Sequence, residues 1–270
     1  MMRGVAAVSG LVLAGFIAGC AQGPPAPLAP LPLAQYSSVA QLRDAVTTRV
    51  QADKSARMTI SGGPDGQPDQ QFYGVGVLSG AQDGTSMQFA EQVQRPGSGP
   101  TEVRIVVQPD ATFLKPPADV VLPPRKVWLA LGAHTTDPFY QRFLPMAATL
   151  RAYADPVAFF AQHGEATFVG AVGEPVDGVR AVRYDLHAGA VDTAGSRPNP
   201  AIEQALRTTV VGGQSGVDYS IWLDEDNHPL RTLIDAPATS GSGGYKLESN
   251  YDRWGQPVYV GPPKPDQITQ

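Results

Sequence analysis

The sequence predicts an α+β domain: one large, curved antiparallel β-sheet, a half-barrel, with a few helices packed against its concave face. Three observations carry that expectation. Apolar residues alternate with a period of two through most of the chain, in short runs broken by turn residues. Glycine and proline are abundant, 29 and 26 of 270 residues, which suits turns and short strands better than a helical bundle. The few segments with helical spacing each present one apolar stripe, so all need a covered face. A sheet of about ten strands tends to curl, and helices inside the curl complete the half-barrel.

The elements follow in order. "SSVAQLRDAVTTRVQADKS" sets Val39, Leu42, Val46 and Val50 on one helical stripe, with Ser38 and Gln41 as a capping box. Strands come next: "RMTIS" alternates Met58 and Ile60, "FYGVGVL" alternates Tyr73, Val75 and Val77, "TSMQFAE" alternates Met87 and Phe89, and "TEVRIVVQ" alternates Val103, Ile105 and Val107. Gly74 and Gly76 fall on the opposite face from Tyr73 and Val75, and bare glycine lets a sheet curve or a neighbour pack closely. "KVWLAL" reads as a further strand. Asp137-Pro138 and Asp155-Pro156 each offer a helix cap followed by proline at the first helical position, and Pro145 interrupts the first of these helices. Phe139, Phe143, Met146, Leu150, Phe159 and Phe160 make a dense apolar group there, suited to a helical wall over the sheet. "ATFVGAVGEPVDGVRAVRYDLHAG" is a hairpin turning at Val176-Asp177-Gly178. "NPAIEQALRTT" reads as a short helix, "VDYSIWLDEDNHPLRTLID" as a hairpin turning at Asp226 to Pro229, and "GYKLESNYDRWGQPVYVGPP" as the closing segment.

The N-terminus has a different character. Arg3 is the one charged side chain before Cys20, and an apolar run from Val5 to Ala18 follows it. A positive start, a short apolar core and small residues at its end describe an export signal. The run is shorter than the roughly 20 apolar residues that span a bilayer. It ends Ile17-Ala18-Gly19-Cys20, which resembles the lipobox of bacterial lipoproteins; the resemblance implies cleavage before Cys20 and acylation of its thiol. One acyl chain holds a protein only marginally, so stable attachment needs two or three. "AQGPPAPLAPLPLAQ" carries five prolines and no charge and suits a semi-rigid spacer. The expected organisation is therefore a signal peptide over residues 1–19, a tether over 20–35 and one domain over 36–270, held at the outer face of the cell membrane.

Composition and motifs exclude much chemistry. The formal net charge is −5 with no basic patch, which speaks against nucleic acid. Cys20 is the sole cysteine, so the domain has neither a disulfide nor a Cys/His zinc site. His134, His163, His187 and His228 stand at no metal-ligand spacing on a helix. His163-Gly164-Glu165 has the H-x-E spacing of a deaminase without its cysteine pair. "DEDNHPLRTLID" begins like a calcium loop but has Pro229 where glycine is required. No G-x-S-x-G is present, and "VVGGQSG" and "TSGSGGY" lack a phosphate-binding lysine. No catalytic residue, metal or cofactor is expected.

The order of these elements, with "EPVDGVRAVRYDL", "IWLDEDNHPLR" and "SNYDRWGQPVYVGPP", resembles the LppX/LprG family of actinobacterial lipoproteins. The resemblance implies a half-barrel similar to the LolA-type carriers, with an apolar cavity that takes the acyl chains of lipids or glycolipids, and a possible envelope transporter as partner. "FLKPPADVVLPPRKVW" and "HTTDPFYQRFLPMAATLRAY" depart from it as longer connections. The candidate lining is Met58, Ile60, Val75, Val77, Met87, Phe89, Ile105 and Val107 from the strands, with Val46, Phe143, Met146, Phe159 and Phe160 from the helices. The competing expectation is a filled half-barrel, a structural or sensory module that binds an envelope protein. A continuous apolar void favours the carrier, and a close-packed interior favours the module.

Overall fold

The computed structural model describes residues 35–66, 71–81, 84–95, 98–131, 147, 150–162, 165–189, 216–236 and 244–269. These lie within a compact unit, Leu31–Gln270; Cys20, the leader and most of the spacer lie outside the described residues, as do the predicted helix at 199–209 and nearly all of that at 137–149.

Helix α1 (Val39–Asp53) opens the domain. Ser38 caps it, accepting from Gln41 N, and Lys54 ends it in the left-handed region with φ 64°. Its stripe Leu42, Val46 and Val50 is buried, about 1.5–3 kcal/mol of transfer free energy per side chain. The strands are β1 (Ser55–Pro64), β2 (Phe72–Ala81), β3 (Gly84–Arg95), β4 (Ser98–Val107), β5 (Thr112–Lys115) and β6 (Trp128–Leu131). A π-helical turn (Leu150–Ala154) and helix α2 (Pro156–Gln162) follow. Then come β7 (Thr167–Gly173), β8 (Val182–Gly189), β9 (Gly216–Leu223), β10 (Pro229–Ala236), β11 (Tyr245–Asp252) and β12 (Ile268–Thr269).

All twelve strands join one curved sheet in the order β12-β6-β5-β4-β3-β2-β1-β11-β10-β9-β8-β7. Every pairing is antiparallel except β12 with β6. The ten strands read from the sequence are present; β5 and β12 are additional. Both were hidden by their length, four and two residues, and by the prolines beside them, Pro116 and Pro265. The Asp177-Gly178 turn forms as read. Val176 and Val179 exchange both backbone hydrogen bonds, and both central residues have positive φ, 49° and 82°, as a type I′ turn requires.

Candidate functional site

The site follows from cross-strand register. Partners on adjacent strands share a face, so Tyr251, Met58, Gly76, Phe89, Ile105, Leu114 and Leu129 form one transverse row on the concave side. Leu78, Met87 and Val107 lie on a neighbouring row. On the other wing Tyr219 stands in register with Leu186 and Ile234, and Ser249 and Thr232 with Ile60 and Ile221. Leu42, Val46 and Val50 of α1, with Leu150, Tyr153, Phe159 and Phe160, cover this face in one cluster.

Nine predicted lining residues meet here: Val46, Met58, Ile60, Met87, Phe89, Ile105, Val107, Phe159 and Phe160 are all buried in that cluster. Phe143 and Met146 lie outside the described residues. Val75 and Val77 require a correction. They point to the convex face, where Val75 is 38% exposed and Val77 packs beside Val106, Phe113 and Val260. The concave positions of β2 are Gly74, Gly76 and Leu78. A Cβ on Gly76 would come within 2.6 Å of Phe89 Cδ1 and collide with the Gln88 carbonyl, so the ring of Phe89 fills the place a side chain would take.

The interior is filled at these residues. A side chain beside a void wide enough for water retains accessible surface, yet Leu42, Met58, Ile60, Ile105, Leu114 and Phe159 keep 0–1%.

Asp155 caps α2 ahead of Pro156 as read from the sequence, but its burial and its link to β3 were not foreseen. Asp155 accepts from Val157 N at 2.9 Å and from Thr85 Oγ1 on β3 at 2.5 Å, and burial raises its pKa above the ordinary carboxylate value. Tyr251 donates to the Ala154 carbonyl at 2.7 Å and lies 3.2 Å from Thr232 Oγ1. Burial also pushes the Tyr219 and Tyr251 hydroxyls up. The signal for Tyr219 was available, since it alternates with Val217 and Ile221 on the inward face of its strand.

The far end of α1 is fastened by charge. Arg49 holds Asp53 through two hydrogen bonds of 2.8 and 3.0 Å, and His228 lies between Asp53 (3.2 Å) and Asp224 (2.9 Å). His187 pairs with Asp218 at 2.7 Å on the exposed surface. Among the described residues no cluster of three metal-ligating side chains occurs, and no helix is long and apolar enough to cross a membrane.

No family profile and no curated protein matches the chain. Solved structures do. A chain of the MucA/MucB complex from Pseudomonas aeruginosa aligns over 84% of this chain at 14% identity and a TM-score of 0.34; the alignment spans 60% of that chain's length. The LolA superfamily protein NE2245 from Nitrosomonas europaea aligns over 83% of this chain and 96% of its own, at 9% identity and a TM-score of 0.34.

A second concavity lies on the convex side. A groove of about 650 Å³ is lined by Val176, Asp177 and Val179 together with Arg57, Val75, Asn250, Asp252 and Trp254. Its mixed lining contrasts with the apolar interior.

Proposed function

We propose that this chain is a lipid-anchored, non-enzymatic binding protein of the cell envelope, which takes the acyl chains of a lipid or glycolipid between its sheet and its helical wall. The observation that carries the reading is the largely apolar concave face, whose buried side chains from β1 to β6 form one cluster with those of α1 and α2. An acyl chain entering there exchanges one apolar neighbour for another. Each buried CH₂ contributes about 0.8 kcal/mol, which offsets displacement of the wall. The polar fastenings of that wall noted above are few: the Arg49–Asp53–His228 group on α1, and the Thr85–Asp155 and Tyr251–Ala154 bonds on α2. The lipobox-like segment ending at Cys20 and the resemblance to LppX/LprG lipoproteins support an anchor at the outer face of the cell membrane and a role in carrying or presenting lipid.

The filled interior favours a second reading, a close-packed module whose outer groove binds an envelope protein. The sheet and every core residue named above fall within residues 31–270, so that segment serves as the test object. Native mass spectrometry on it, purified without detergent from an actinobacterial host and followed by solvent extraction, separates the two. A co-purifying mass that extracts as lipid is the expected result. A mass that stays that of the bare protein after incubation with envelope lipids overturns the acyl-binding reading in favour of the module.

A further inference from the structure

Tyr219 carries a polar atom that nothing among the described residues satisfies. Its side chain is fully buried, its ring stacks on Phe159 with centroids 3.8 Å apart and planes 7° apart, and Phe160 meets it edge-on. Its hydroxyl has no hydrogen-bond partner among the described residues. A buried phenol without an acceptor has lost its hydrogen bond to water and gained none, whereas phenylalanine would pack the same ring without that loss. The hydroxyl is also within electrostatic reach of Asp155 and Tyr251. Both of those are engaged, Asp155 with Thr85 and the Val157 amide, Tyr251 with the Ala154 carbonyl and Thr232. Three oxygen-bearing side chains, from the start of α2, from β9 and from β11, thus gather in one part of the interior. One of them has a donor to spare.

We infer that Tyr219 is the polar anchor of the acyl-binding site, its hydroxyl donating to the carbonyl oxygen of a neutral acyl ester and so fixing how deep the chain enters. The inference rests on the acyl-binding reading and narrows it to a ligand class. The missing partner is an acceptor, which a carbonyl supplies and a hydrocarbon does not. The acceptor is neutral, because a carboxylate brought to this water-free place beside Asp155 would lose its hydration with no cation among the described residues of this cluster to replace it. Burial favours the protonated form of Asp155 as well, in keeping with a pocket that disfavours anions. Phe159 covers the Tyr219 ring, so its displacement with α2 is the event that uncovers the anchor.

The test uses residues 31–270 and two probes below their micellar concentrations: palmitoyl lysophosphatidylcholine, an ester, and hexadecyl lysophosphocholine, its ether analogue. They share headgroup and chain length and differ in the carbonyl. The wild type is expected to bind the ester about 2- to 10-fold more tightly, the range one net hydrogen bond supplies. Tyr219→Phe is expected to abolish that preference while holding or raising the melting temperature of the ligand-free protein. A preference that survives in Tyr219→Phe, an equal loss for both probes, or a lowered ligand-free melting temperature each overturns the anchor and leaves acyl binding intact. A wild type that binds neither probe overturns the acyl-binding reading itself, and the anchor with it.

Discussion

The two wings of the concave face are built from different chemistry. On β2 to β6 the inward side chains include Leu78, Met87, Phe89, Ile105, Val107 and Leu114, and the buried polar residues there are Glu91 and Thr112. On β8 to β11 they include Tyr184, Tyr219, Tyr245 and Tyr251, with Thr232 and Ser249 between them. Alkyl packing is non-directional, so the first wing can hold a chain without fixing its position. Hydrogen bonds have direction, so the second wing can set register. Most of its polar atoms are already spoken for: Tyr184 accepts from the Gln35 amide, and Tyr251 is bonded to Ala154.

The largest expected effect tests the cover of the polar wing. Phe159→Ala removes a fully buried ring stacked on Tyr219 and should cost about 3–5 kcal/mol in urea unfolding. A cost under about 1 kcal/mol would mean that α2 rests loosely on the sheet, and the contrast between covered wings would collapse.

Next in size is the pH response of Asp155, whose pKa burial raises above the ordinary 3.8. A folded-state value above the unfolded one means that the native state holds the proton more tightly. That contribution is fully present below pH 3.8 and is lost as pH rises through the folded value. Asp155→Asn removes it. Stability of the wild type minus that of the variant should therefore decline as pH rises from 3.8, measured by urea melts in a pH series. A difference that stays flat would indicate an ionised, well-compensated Asp155.

The smallest effect belongs to the alkyl wing. Met87→Leu conserves volume and should cost less than about 1.5 kcal/mol. It should leave the ester-over-ether preference unchanged in the same competition assay. A lost preference would mean that the alkyl wing also positions the ligand.

Much of this arrangement was legible because strand alternation reports a face directly. Met58 with Ile60, Met87 with Phe89, and Ile105 with Val107 needed nothing beyond their spacing, and the α1 stripe and its Ser38 cap followed from a period of 3.6. Strand β2 inverted the rule. Its apolar alternation, Tyr73, Val75 and Val77, faces outward, because Phe89 from the next strand occupies the space over Gly76. That cause lies in a neighbouring strand and cannot be read from β2 alone. The polar wing was obscured for a similar reason. Tyr219, Thr232, Ser249 and Asp155 are far apart in sequence, and strand register together with the entry into α2 is what assembles them.

The short strand β12 has a consequence for how the chain can be handled. A sheet edge is a template for any other strand, and natural proteins cover or shorten it. Here Ile268 and Thr269 lie alongside Trp128 and Leu129, and the Gln267 carbonyl takes the Val127 amide at 2.9 Å, so β12 guards the β6 edge. Removing β12 would bare that template and favour self-association.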